Sequence, residues 1–185
     1  MFTRRGRRTA SIVGASALTL ALVACGSGSS NGIDSATNSQ TGSSPSVMPP
    51  WPAPVSGIPA LVEGAGLDLG PMGTAEHYHP TLRIVIDDER VAIPPNIGVD
   101  PSTGAMSAVH THEGDGTIHI EADTVGEVFT LGQLFTQWNV VLGEDQIGGV
   151  KSDNPIIVTV NGQQVMGDPA GLRLRPDQQI LLEVS

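Results

Sequence analysis

The sequence predicts an α+β domain, a β-rich mixed sheet carrying one short helix. Three observations predict it. Apolar and β-branched residues alternate in several short segments, the period of half-buried strands. Two of these segments run into tight-turn signals, Asp87-Asp88-Glu89 and Asn161-Gly162. One window, from Thr130 to Trp138, repeats its apolar residues at helical spacing instead.

Taken in order, Leu82-Arg83-Ile84-Val85-Ile86 reads as a strand, the following acidic turn reverses it, and Arg90-Val91-Ala92-Ile93 returns as a hairpin partner. Pro94-Pro95-Asn96-Ile97-Gly98 ends that hairpin, since two prolines remove backbone donors. Thr117–Ala122 is the next strand, with Ile118 and Ile120 on one face and His119 and Glu121 on the other. Thr130 caps a helix whose Leu131, Leu134, Phe135 and Trp138 form its apolar face and, with Phe129, belong to the core. Ile156–Val160, Asn161-Gly162 and Gln163–Met166 make a second hairpin, and Ile180–Val184 is the last strand.

The chain divides into three parts. Residues 1–24 have a basic head (Arg4, Arg5, Arg7, Arg8) and an apolar run from Ile12 to Ala24, too short and small-sided for a comfortable membrane span, as in a signal peptide. Arg4-Arg5 would also open a twin-arginine signal, but the residues usual after that pair are absent. Residues 25–58 are rich in Ser, Gly and Pro and bury too little apolar surface to fold, so they read as a disordered tether. A flexible linker of this length spans about 30 Å. Residues 59–185 form one domain. Trp51, in the proline-rich end of the tether, either packs on the domain or sits at a lipid interface.

The apolar run closes with Leu22-Val23-Ala24-Cys25-Gly26, and Cys25 is the only cysteine of the chain. This stretch resembles the lipobox of bacterial lipoproteins. The resemblance implies cleavage before Cys25, acylation of its thiol, and a lipid-anchored protein on the extracytoplasmic face of the cell membrane. Two or more acyl chains hold durably, whereas one holds only reversibly. The full chain carries a formal charge of −10. After loss of the signal arginines, five basic side chains face 19 acidic ones, a net of −14. Such a surface repels phosphate backbones, which argues against nucleic acid as a partner, and draws cations.

All five histidines fall between His77 and His119: His77-Tyr78-His79, His110-Thr111-His112 and Ile118-His119-Ile120-Glu121. Alternate residues of a strand share a face, so His110 and His112 project together about 6.5–7 Å apart, within reach of one ion. Turn length decides how His119 joins them. A two-residue turn at Gly114-Asp115 sets His110 opposite His119 and His112 opposite Thr117. A turn at Asp115-Gly116 sets His112 opposite His119 and His110 opposite Glu121. Either way three imidazoles and Glu121 share one face, while a three-residue loop would turn His119 and Glu121 away. Three imidazoles with a carboxylate or water suit zinc, copper(II) or iron. His77 and His79 either approach the same face or make a second site, and Pro80 biases His79 to extended geometry. Met106 is the one candidate soft ligand near this region. Asp87-Asp88-Glu89 is a hairpin turn in preference to a weak calcium site. Phosphate loops, nucleophile elbows, His-Glu-x-x-His helices and Cys-x-x-Cys pairs are absent from the sequence.

The order of elements resembles a β-grasp domain with an inserted histidine-bearing hairpin; the alternative is an all-β, cupin-like barrel. The closing residues, Val160–Gln163 through Pro176–Ile180, are similar to the end of ubiquitin-like sulfur carriers, but the chain ends Glu183-Val184-Ser185 without a Gly-Gly terminus, which excludes carrier chemistry. The stretch Ile93–Gly98, His110–Glu121 and Phe129–Trp138 looks like a core found in exported or membrane-anchored proteins of unassigned function, including actinobacterial lipoproteins. That resemblance implies an envelope location and a histidine site, without an activity.

Three functions follow as expectations. The first is a non-catalytic envelope lipoprotein that binds a divalent transition metal, copper or zinc, through His110, His112, His119, His77, His79 and Glu121, for buffering or delivery. The second is a cupin-like metalloenzyme holding iron or manganese through His110, His112 and His119 with Glu113 or Glu121. Against it, Glu113 abuts His112 and His119 follows after only seven residues. The third is a metal-free module that contacts another envelope protein or senses pH. In that case the histidines are solvated polar faces or hydrogen-bonding supports.

Overall fold

A computed structural model describes residues 48–185. The segment 1–24 read as a signal peptide, Cys25 and the segment read as a tether as far as residue 47 lie outside the described residues.

Two aspartates in the left-handed region start the main sheet. Asp87 and Asp88 have φ values of 50° and 66°, the pair of positive angles that a type I′ turn requires, and they join β2 (Thr81–Ile86) to β3 (Glu89–Val91) with Ile86 opposite Glu89. Asn161 and Gly162, at 51° and 79°, do the same between β8 (Ile157–Val160) and β9 (Gln163–Val165). The last strand, β10 (Gln179–Val184), slots between the hairpins, parallel to β2 and antiparallel to β8. The order is therefore β3-β2-β10-β8-β9. Leu82, Ile84 and Ile86 alternate with exposed or half-buried residues along β2, as do Ile180, Leu182 and Val184 along β10, so one face of this sheet is core.

A second sheet has the order β1-β5-β4, all antiparallel: β1 (Glu76–Tyr78), β5 (His119–Ala122) in the centre and β4 (Val109–His110). Ile118, Ile120 and Ala122 turn into the same core, fully buried. The two isoleucines each contribute about 1.5–3 kcal/mol when withdrawn from water. The opposite face of β5 carries His119 and Glu121, as the alternation predicts.

Helix α2 (Leu131–Trp138) forms where predicted. Gln133 Oε1 accepts from the Thr130 amide at 2.9 Å, closing the first turn, and Asn139 ends the helix in the left-handed region at φ 60°. Leu131, Leu134, Phe135 and Trp138 are buried against the sheets. A short hairpin, β6 (Gln146–Ile147) and β7 (Val150–Lys151), follows.

Four expectations need correction. The main sheet is open, with β3 and β9 at its edges, so the barrel alternative does not hold. There is a second helix, α1 (Ile58–Gly64), with Pro59 in its first turn; the Gly-Ile-Pro that reads as linker is a helix start. The packed region reaches back into the segment assigned to the tether. Trp51 is 4% exposed; its ring meets Trp138 edge-on at 5.9 Å, and its carbonyl accepts from Trp138 Nε1 at 3.0 Å. Gly148, at φ 56°, makes room for it, since a Cβ there would lie 2.6 Å from the indole. Finally, the strand through His110-Thr111-His112 stops at His110.

Candidate metal centre

Thr111 explains that early stop. Its amide donates to Ile97 O at 3.1 Å instead of crossing to β5, and its carbonyl accepts from Asn96 N at 2.8 Å. Its wholly buried hydroxyl donates to Pro94 O and accepts from the Ile97 amide, both at 3.0 Å. The Pro94–Ile97 segment thus captures the backbone between the two histidines.

Residues beyond it cross to the main sheet. Leu82 N donates to Gly116 O at 2.8 Å, Ile118 N donates to Pro80 O at 2.9 Å, and Thr81 bridges Thr117. Gly116 is required there: its φ is 95°, and a Cβ would lie 2.2 Å from Leu82 O. His110 does face His119 across the ladder, as the Gly114-Asp115 register predicts. The type II′ turn of that register is absent, because the positive φ falls at Gly116 and not at Gly114.

The five rings meet in a chain. Centroids lie 4.6 Å apart for His77–His79, His79–His119, His119–His112 and His112–His110, each pair edge-on. His110 and His119 stack at 5.5 Å. Two triads emerge, His77/His79/His119 and His110/His112/His119, each with its ligand atoms within 4.8 Å of one another. Donors around a tetrahedral ion with 2.0–2.1 Å bonds stand about 3.3 Å apart, so small side-chain adjustments close either triad.

The triads differ in support. His110 is wholly buried, and its Nδ1 donates to Ser107 O at 2.8 Å. That bond leaves the lone pair of the neutral ring on Nε2, which lies 3.0 Å from His112 Nε2. Burial pushes the His110 pKa down to about 4, with repulsion from His112 adding to it against the opposing Ser107 bond. The ring is therefore neutral and ligand-competent at physiological pH. Ser107 Oγ donates to Val109 O at 2.8 Å, and Gln137 Nε2 from α2 donates to the same carbonyl at 3.0 Å.

His77 and His79 are exposed. His77 sits opposite Glu121 across β1–β5, its Nε2 3.3 Å from Oε1. His79 has its pKa lowered, first by partial burial and then by repulsion from His119 and His77. His119, next to His79 in the ring chain, has Nε2 3.0 Å from Glu113 Oε2.

Each predicted histidine thus joins a triad, and His119 joins both. Glu121 belongs to neither; it is buried and supports His77, while its Oε2 takes no hydrogen bond from the described residues. A buried carboxylate oxygen with unused acceptor capacity beside a cluster of imidazoles fits a cationic occupant. Met106 is half-buried and lies in neither triad. Sequence reasoning missed Ser107 and Gln137 as supports for His110, because they act through backbone carbonyls that no residue pattern marks. No protein-family model, curated protein or solved structure matches the chain.

Proposed function

We propose that this chain is an envelope lipoprotein, anchored through acylated Cys25, that binds a divalent transition metal non-catalytically through its histidine cluster. One observation carries the reading: two three-histidine groups, both with ligand atoms within 4.8 Å, share His119. Neutral imidazoles with supporting hydrogen bonds suit zinc and copper(II) above harder ions. The strand order, with β10 between two hairpins and parallel to β2, supports a β-grasp-like domain. The second sheet and its histidines are then an insertion. Among the described residues no helix is long and apolar enough to cross a membrane. In this reading attachment rests on the acylated cysteine, and any partner is a second envelope protein that receives or supplies the ion.

The test is a titration of the full chain with copper(II) and with zinc against a variant carrying His110→Ala, His112→Ala and His119→Ala. Affinity should fall by more than about 100-fold, since even supporting residues are worth 10–100-fold. Equally weak binding by both proteins would defeat the metal reading. Anchoring is tested separately by mass spectrometry of membrane-extracted protein, in which Cys25→Ala should abolish the acyl mass.

A further inference from the structure

The shared position of His119 has consequences for how an ion would move. Resting on the metal reading above, we propose that the two triads are successive positions of a single ion: capture by His77, His79 and His119, then retention by His110, His112 and His119. A neutral imidazole has one free lone pair, so His119 serves one ion at a time and the positions exclude each other. The first triad is the accessible one: the His77 side chain is 56% exposed and His79 is exposed, whereas the second is built on the wholly buried His110.

The second position is also closed at rest. With its Nδ1–H held by Ser107 O, His110 presents its Nε2 lone pair to His112 Nε2 at 3.0 Å, so the hydrogen between them belongs to His112. An ion arriving there must displace that N–H···N bond. At the outer triad His79 meets His77 and His119 at 4.6 Å while His77 and His119 stand 6.5 Å apart, and the carboxylates of Glu121 and Glu113 lie beside His77 and His119.

Transfer is an exchange of ligands. The bond to His119 persists, those to His77 and His79 break, and bonds to His112 and His110 form. The proton on His112 Nε2 leaves to water while Nδ1 of the same ring takes one up, so net charge does not change. His112 is exposed, which keeps water at hand for that exchange.

Copper(II), mixed with the full chain and followed by visible absorption and electron paramagnetic resonance, tests the sequence of events. One copper per chain should bind in two phases, a fast one that scales with copper concentration and a slower one that does not. The double variant His77→Ala with His79→Ala should reach the same final spectrum with affinity within about threefold, but associate about tenfold more slowly or worse. His112→Ala, at an exposed position that spares the fold, should keep the fast phase, lose the slow one and bind on the order of 100-fold more weakly. Two coppers per chain, an unchanged association rate in the outer double variant, or equal affinity losses in both variants would overturn the proposal. A wild-type chain that binds neither copper nor zinc would instead overturn the metal reading on which it rests.

Discussion

The chain contains two His-x-His pairs of identical spacing, and the fold treats them in opposite ways. His77 and His79 lie on and just past an edge strand, exposed, with one cross-strand carboxylate for support. His110 and His112 straddle a residue that the Pro94–Ile97 segment pins by four hydrogen bonds, and His110 is withdrawn from water altogether. The difference teaches that a motif supplies donors, while distant backbone decides whether a donor is withdrawn from water, as His110 is, or left exposed, as His112, His77 and His79 are. Of the four, only His110 is bound up with the packing of the molecule.

That contrast can be broken most severely at Gly116. Gly116→Val would add left-handed strain to a clash with Leu82 O and should cost about 3–4 kcal/mol, measured by urea unfolding. Gly126→Ala, at φ 81° but with nothing within 4 Å of the added Cβ, is the control and should cost about 1 kcal/mol.

Acid should distinguish the two pairs next. The pKa of His110 falls from 6.5 to about 4 on folding, so the unfolded chain takes up the proton first. The stability from keeping this ring neutral is complete above about pH 6.5 and drains away as pH falls toward 4. Between pH 7 and 5 the metal-free protein should lose on the order of 2 kcal/mol, and His110→Gln should flatten that part of the profile. A profile unchanged by the substitution would show that His110 is not the group responsible.

Thr111→Val keeps shape but removes the hydroxyl shared by Pro94 O and the Ile97 amide. It should cost about 1–3 kcal/mol and loosen the inner triad, read as weaker copper(II) binding. Smallest of all, His77→Ala with His79→Ala should change unfolding free energy by no more than about 0.5 kcal/mol, as expected of surface substitutions. A larger loss would erase the contrast.

Much of this was legible in the residues. Alternation marked β2, β5, β8 and β10, Asn161-Gly162 and the acidic turn marked both hairpins, and Leu131-x-x-Leu134-Phe135-x-x-Trp138 marked α2, because each signal is local. Helix α1 escaped because its seven residues make only about two turns, held by docking and with little apolar periodicity of their own. The gathering of five histidines was visible as a count, and the His110–His119 register as one of two options. The departure of His112 from the strand was not visible, since it depends on Thr111 choosing Ile97 over β5. Likewise the roles of Ser107 and Gln137 rest on carbonyl geometry and not on side-chain pattern.

The indole of Trp51 bears on mechanics as well as packing. A pull arriving from the amino-terminal side of the described residues meets this ring before it meets any strand. The ring is wedged against Trp138 and over Gly148, with a hydrogen bond from one indole to the other's carbonyl. Tension reaching this ring is thereby passed to Trp138 on α2 and to Gly148 in the turn of the β6–β7 hairpin.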